Sequence, residues 1–446
     1  MGGFERMCLP VETTVRDLHQ MSLRSRKASY DLSAAPVDAR NQVMLALARI
    51  LEERYEEIQM ANGEDLRAAE EDHLAAPLLH RLVFDQKKLK QVADGLRALA
   101  ALPDPLGKTT YAMEITEGLS VYRVVCPIGV IGVIFESRPD ALIQIASLCI
   151  KSGNAVLLKG GREAILTNRI LCECVRASLD EAGLPSDSAQ LLESREDVAS
   201  MLKEDALIDL IIPRGSRQFV RFIMDNSRIP VLGHSDGICH VYIDEFADPT
   251  LAVKVTLDSK VQNVSVCNAA ETVLVHEKIA PAILPSLFEA LKKAGVEIRG
   301  DEAVRKIVPC VPAQPEDWET EYLDYIVSVK IVSSLSEAVS HINTYGSHHT
   351  DCICTDSEDN ASVFMQRVDS AGVYWNVSTR FADGFVYGFG AEVGIATGKI
   401  HARGPMGLEG LTTYKYKLIG SGHTMTEMKS GERAYTHKPL RNVCPL

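Results

Sequence analysis

The sequence predicts an α/β protein: a doubly wound, Rossmann-type unit, a second α/β unit and a separate β-hairpin arm. Three observations predict it. Strand-like apolar runs at 130–135, 155–158 and 207–212 alternate with segments of helical spacing, the rhythm of a mostly parallel sheet covered on both faces. A second strand–helix series begins near residue 233. An isolated alternating stretch at 112–125 reverses at Glu117-Gly118 and is too small to stand without packing on something else.

The totals fit such a protein. At 446 residues the chain has material for two or three domains, and 46% apolar with 24% charged residues is ordinary globular composition. Sixty acidic against 47 basic residues leave a net charge of −13, which argues against nucleic acid or an anionic membrane as main partner. No run approaches the roughly 18 apolar residues of a membrane span. The eleven cysteines form no framework, and Met1-Gly-Gly-Phe-Glu-Arg6 has no apolar signal region, so reduced thiols of a cytoplasmic protein are expected.

In chain order, residues 11–103 read as helices, with apolar side chains at helical intervals over 37–51 and 89–99. The charged run 70–72 is a solvated face. Pro103-Asp-Pro105-Leu-Gly107 ends the helices, and the hairpin follows. Val130 to Phe135 is a strand buried on both faces, and the helix over 140–152 closes at Gly153. A strand at 155–158 leads through Lys159-Gly160-Gly161-Arg162 into a helix over about 163–182. Strand 190–192, a helix to 201, strand 207–212, the turn Pro213-Arg-Gly-Ser216, a helix to about 226 and strand 230–232 complete the first unit. The second has strands at 239–243, 272–276 and 326–332 and helices at 248–260, 279–294 and 335–342. A glycine-rich loop, an alternating strand at 411–418 and a polar, ill-patterned tail end the chain. The domains expected are a cofactor-binding domain of 1–109 and 127–232, a catalytic domain of 233–384, a connecting loop of 385–407, and an arm and tail of 110–126 and 408–446.

Cys267 lies on a small-residue turn between a helix and the β-branched run Thr272-Val-Leu-Val-His276. A thiol there meets backbone N–H groups that favour the nucleophilic thiolate; a small hydrophobe in the core is the other reading, and this window does not separate them. Ligands of doubly wound sheets bind beyond the carboxyl ends of the strands. No G-x-G-x-x-G occurs, but Gly215-Ser216 opens a helix after a strand. It reads as a pyrophosphate site or as an N-cap. Lys159 and Arg162 on their glycine turn suit the 2′-phosphate of NADP, or form a solvated loop. Cys172/Cys174 and Cys352/Cys354 lack partners at zinc spacing.

Four stretches carry a family resemblance: 126–139 (CPIGVIGVIFESRP), 264–272 (VSVCNAAET), 332–353 with its HINTYGSHHTD, and 385–394 (FVYGFGAEVG) through 401–409 (HARGPMGLE). Together they resemble the γ-glutamyl phosphate reductases, or glutamate-5-semialdehyde dehydrogenases, of the aldehyde dehydrogenase superfamily, over about 15–420. The first stretch alone suggests only the superfamily. The last two are specific to the branch.

The resemblance implies an aldehyde dehydrogenase-like fold and NADPH-dependent reduction of L-glutamyl 5-phosphate to glutamate 5-semialdehyde and phosphate, a step of proline biosynthesis. Cys267 takes the place of the catalytic cysteine, its backbone N–H and that of Asn268 serving as oxyanion donors. Lys159 takes the place of the adenosine-ribose lysine, and Gly215-Ser216 that of the pyrophosphate turn. Arg162 replaces a glutamate common in NAD-preferring relatives, which favours NADP. Residues 110–126 and 411–418 correspond to the oligomerisation arm, so a homodimer or homotetramer is expected, with glutamate 5-kinase as a candidate partner. Two departures stand out. The segment that holds the water-activating glutamate of hydrolytic relatives is Gly233-His-Ser-Asp-Gly237, where His234 or Asp236 is read as a turn residue rather than a substitute base. Ser137 stands where the superfamily has its oxyanion asparagine. Arg138 and Arg380 are candidates for the substrate's anionic groups and Glu136 for its amine, each alternatively a structural ion pair. No metal is expected, His348-His349 being read as structural. The rival readings are an NAD(P)-dependent aldehyde dehydrogenase of other substrate range and a non-enzymatic scaffold.

Overall fold

The computed structural model describes residues 18–446, apart from 137, 194, 234, 235, 391 and 401 and the side chains of 77, 195 and 196. Five helices come first: Leu18–Ala34, Val37–Glu53, Tyr55–Glu71, Ala76–Leu82 and Gln86–Ala101. The last begins where the Asp85 carboxylate accepts the Lys88 N–H at 2.8 Å, an N-cap that satisfies one of the free donors of the first turn. Leu47, Leu51 and Leu96 of these helices share one core with Ile131, Val133 and Leu158 of the first sheet. The helical region is thus one cover of that sheet.

The first sheet is parallel, in the order Ala189–Leu192, Ala155–Lys159, Val130–Phe135, Leu210–Arg214. In chain order this is strand three, two, one, four. The direction of winding reverses between Val130–Phe135 and Leu210–Arg214, where Phe135 is in register with Arg214. A crevice opens at such a reversal. The strand begins three residues later than the apolar run at 207, and the run at 230–232 contributes only a bridge from Val231 to Ile211.

The second sheet is also parallel, with seven strands in the order Val311–Pro312, Glu297–Gly300, Ile326–Val332, Ala270–His276, Cys239–Ile243, Thr350–Cys354, Gly372–Trp375. All residues of Cys239–Ile243 and Ala270–His276 are buried. Strands 297–300, 350–354 and 372–375 are too short or too mixed in polarity to show in the sequence. Cys352 and Cys354 are buried on one of them, and Cys172 and Cys174 on the helix Ile165–Glu181.

A separate antiparallel sheet joins Thr412–Ile419, Leu119–Pro127, Thr109–Thr116 and Lys438–Pro439. Tyr111, Tyr414, Tyr416 and Leu418 are exposed on it. The polar tail is ordered by a capping box, Thr424 with Glu427, which starts the helix Met425–Ser430 and returns the chain to the arm. The stretch expected as a connecting loop is in part core: Val393, Ala396 and Met406 are buried with the first sheet's cluster. Among the described residues no helix is long and apolar enough to cross a membrane.

Candidate active site

The site forms where the carboxyl edge of the first sheet meets the amino edge of the second. Glu136 and Arg138 follow strand Val130–Phe135, and Gly215 and Ser216 follow Leu210–Arg214; residues 237 and 267 precede strands Cys239–Ile243 and Ala270–His276. An ion pair between Arg217 and Asp236 at 2.6 Å joins the two edges. Asp236 therefore bridges the two units, while His234 lies outside the described residues.

Cys267 sits on the expected turn, half-buried, between the helix Pro249–Val261 and its strand. Its carbonyl accepts the Cys239 thiol at 3.3 Å. Gly237 packs against its backbone so closely that a Cβ there would lie 2.1 Å from the Cys267 carbonyl oxygen. The electrostatics reverse one expectation. Burial pushes the thiol up to about 12, aided by the carboxylates of Glu321 and Glu392, against the opposing pull of Arg214 and the residue's own N–H. The favourable N–H of the turn is present, but desolvation of the thiolate outweighs it.

The Asn268 side chain is committed elsewhere: its Nδ2 donates to the Ala382 carbonyl at 2.9 Å, while the Thr379 hydroxyl donates to the Asn268 carbonyl at 2.7 Å. These bonds fix the segment carrying Arg380, whose Nε donates to Gln262 Oε1 at 2.8 Å and whose charge is felt by the Cys267 sulfur. Only the backbone N–H of Asn268 is left for the role expected of this residue. Ser137 lies outside the described residues.

A cavity of about 670 Å³ adjoins this region, with Arg138, Arg214, Asp383 and Glu392 among its lining residues. Arg138 also pairs with Asp140 at 3.3 Å. Glu136 does not face the cavity. Its carboxylate accepts the backbone N–H of Ser216 and touches the space a Gly215 side chain would need. Glu136, the residue expected to meet the substrate amine, is not among the residues lining this cavity, whose wall carries Glu392 and Asp383. The reason is the register of Phe135 with Arg214, which sets residue 136 beside the start of helix Arg217–Asn226.

That placement also tests the cofactor turn. The N-terminus of helix Arg217–Asn226 already holds an anion, the Glu136 carboxylate, at the N–H where a pyrophosphate oxygen would dock. Lys159 is buried and donates to the Gly160 carbonyl at 2.5 Å, and Arg162 is exposed on the same turn with the Glu163 carboxylate folded over Gly161. The donor set fits a nucleotide with phosphates on this edge. His348 Nδ1 contacts the Asp369 carbonyl at 2.6 Å, and His349 Nδ1 the Thr350 hydroxyl at 2.9 Å.

Three groups were not legible beforehand. Glu321 accepts the Gly237 N–H, and burial followed by Asp236 raises its pKa. Glu392 accepts the Gly384 N–H at 2.9 Å and is raised by burial. Arg214 reads in the sequence only as part of the turn Pro213-Arg-Gly-Ser216. No local pattern marks any of them, since each reaches the thiol from a different part of the chain.

Comparison with known proteins gives a consistent result. The aldehyde dehydrogenase family model matches residues 5–324. A γ-glutamyl phosphate reductase of Acetivibrio thermocellus is 56% identical over 429 residues, covering 96% of this chain and 100% of that protein. One of Pelotomaculum thermopropionicum is 55% identical over 424 residues, covering 95% and 98%. The crystal structure of the γ-glutamyl phosphate reductase of Thermotoga maritima superposes with a TM-score of 0.90 at 40% identity, covering 91% of this chain and 99% of that one.

Proposed function

The chain belongs to the γ-glutamyl phosphate reductases of the aldehyde dehydrogenase family, and on that premise we propose that it reduces L-glutamyl 5-phosphate to glutamate 5-semialdehyde, as in proline biosynthesis, through a thioester on Cys267. The observation that carries the chemistry is the position of that thiol, at the meeting of the two sheet edges and within the field of Arg214 and Arg380.

The steps follow from the thiol. Once deprotonated, the sulfur forms a bond to C5 of the substrate, the bond from C5 to the phosphate oxygen breaks, and phosphate leaves with the electron pair. A bound nicotinamide nucleotide supplies the hydride that reduces the thioester carbon. The C–S bond of the resulting thiohemiacetal then breaks, releasing aldehyde. The backbone N–H groups of Cys267 and Asn268, with Ser137, are assigned to the developing oxyanion. The resting thiol is protonated at neutral pH because its burial disfavours the charge; the two guanidinium groups offset that cost.

NADPH is the cofactor favoured by Arg162, an exposed guanidinium on the Lys159 turn. Gly215 and Ser216 would take the pyrophosphate, displacing the Glu136 carboxylate, and Lys159 the adenosine ribose. Arg138 and Arg380 are assigned to substrate anions, and Glu392 with Asp383 to the ammonium. The exposed tyrosines of the arm sheet suit pairing of subunits into a homodimer or homotetramer. We infer a cytoplasmic enzyme, with glutamate 5-kinase as the candidate source of its unstable substrate.

The test is turnover of glutamate 5-semialdehyde with NADP, with and without phosphate. Strict dependence on phosphate, abolished in Cys267→Ala, is expected. Oxidation without phosphate would favour a hydrolytic aldehyde dehydrogenase, with Glu321 or Glu392 activating water. A parallel series with NAD checks Arg162; equal kcat/KM for the two cofactors removes its role.

A further inference from the structure

We propose that Arg214 is the phosphate-binding residue of the reaction: its guanidinium holds the phosphoryl oxygens of the acyl phosphate and receives the phosphate as it departs. This rests on the acyl-phosphate reading above.

The placement comes from the backbone. Arg214 ends the strand Leu210–Arg214 in register with Phe135, so its side chain rises from the crevice where the sheet reverses. There it lines the cavity beside Arg138. Its guanidinium carries five N–H donors in a planar fork, yet among the described residues it makes no side-chain hydrogen bond and no ion pair, in contrast to Arg138 with Asp140 and Arg380 with Gln262. Protein atoms surround it closely enough that burial, followed by the like charge of Arg138, lowers its pKa. The groups whose charge reaches it are Arg138, Glu392, Cys267 and Asp140. A desolvated guanidinium that turns unused donors toward a cavity is an anion site awaiting its anion.

The choice of anion follows from proximity to the sulfur. The Cys267 thiol and Arg214 each feel the other's charge, and both stand where the two sheet edges meet. In the substrate the phosphoryl group is joined through one oxygen to C5, the carbon that sulfur attacks, while three carbons separate C5 from the α-carboxylate. The guanidinium in the field of the sulfur therefore meets the phosphoryl group, and Arg138, on the wall of the same cavity, suits the α-carboxylate. Negative charge on the phosphate oxygens grows as the C5–O bond breaks and the electron pair moves to oxygen. A fork held in place beforehand stabilises that growth more than it stabilises the bound substrate.

The experiment measures the oxidative direction in wild type, Arg214→Gln and Arg214→Lys, with phosphate, glutamate 5-semialdehyde and NADP varied in turn. In Arg214→Gln the KM for phosphate is expected to rise on the order of tenfold to a hundredfold, the range of a lost charge-assisted hydrogen bond, with the KM for NADP unchanged. Arg214→Lys, which keeps the charge but not the fork, falls between. Alkylation of Cys267 by iodoacetamide is the second readout: inorganic phosphate slows it in wild type and no longer does so in Arg214→Gln. An unchanged phosphate KM, with wild type still phosphate-dependent, overturns the assignment. So does a rise confined to the KM for semialdehyde, which would place the α-carboxylate there instead. Wild-type turnover without phosphate would instead remove the acyl-phosphate reading itself. If Arg214→Gln fails to fold, Arg214→Lys decides alone: a raised KM for phosphate and weakened protection of Cys267 by phosphate support the assignment, and wild-type values of both overturn it.

Discussion

Gly237→Ala isolates the contact on which the position of the nucleophile depends. A Cβ at residue 237 would lie 2.1 Å from the carbonyl oxygen, 2.4 Å from the Cα and 2.6 Å from the carbonyl carbon of Cys267. Ordinary contacts between carbon and such atoms begin above about 3.4 Å, so one backbone must move by roughly 1 Å. No flexible side-chain tip is available to yield, because all three atoms are main chain. Overpacking of this kind costs about 1–3 kcal/mol of stability. A displacement of about 1 Å at the reacting sulfur costs on the order of a hundredfold in rate. The same shift would carry the Gly237 N–H away from the Glu321 carboxylate. The expected outcome is a hundredfold fall in kcat/KM with a modest loss of thermal stability, measured by steady-state kinetics and by unfolding of the same samples. Gly233→Ala is the control, since its Cβ would first meet Pro213 Cγ at 3.6 Å, an ordinary contact, and activity should persist. Gly237→Ala with kcat/KM within twofold of wild type would refute the reasoning.

Two further outcomes concern buried ionisable groups away from the cavity. His341 is 4% exposed, packed against the His240, Trp318 and Tyr345 rings, and burial followed by His240 lowers it to about 3. The unfolded chain then binds a proton that the folded chain refuses, so stability is full above about 6.5 and falls by about 1.4 kcal/mol per pH unit as pH drops from 6.5 toward 3. Denaturant titrations of His341→Phe should show that slope reduced by this amount; an unchanged slope refutes it. Lys260 and Glu271 are both fully buried and paired at 2.5 Å, with Glu271 Oε1 also accepting the Leu323 N–H at 3.3 Å. Glu271→Leu leaves a buried ammonium and should cost about 3–5 kcal/mol in urea unfolding, while the double replacement Lys260→Met with Glu271→Leu recovers most of it. A double variant no more stable than Glu271→Leu would refute that account.

Much of the scaffold was readable along the chain because its signals are local. A run such as Val130 to Phe135 can only be buried on both faces, and Gly153, at φ 78°, closes the preceding helix as expected. Cys267 on a turn before a β-branched strand needed no tertiary information either. Legibility failed where length or polarity masked the period. Thr350–Cys354 and Gly372–Trp375 hold too few residues to alternate visibly, and the strand Lys438–Pro439 exists only because the arm offers it an edge. The apolar run at 230–232 does pair with the sheet, the Leu232 N–H donating to the Ile211 carbonyl at 2.8 Å and the Ile211 N–H to the Pro230 carbonyl at 2.9 Å, but it holds this contact over a single bridge and forms no full strand.

The central strands of both sheets, the turn that carries the thiol and the family motifs are legible along the chain, because hydrophobic period and turn chemistry act between neighbours in sequence. Which side chains surround that thiol depends on contacts between distant segments. Arg214, Glu321, Arg380 and Glu392 arrive from four separate segments, and the energy that places them is the packing of one sheet edge on another, with Gly237 allowing the closest approach. The same packing sent Glu136 to the cofactor turn and set the Arg214 guanidinium on the cavity wall, where among the described residues it has no side-chain hydrogen bond or ion pair. The thiol's protonation, too, depends on desolvation, which exists only once the two edges have closed.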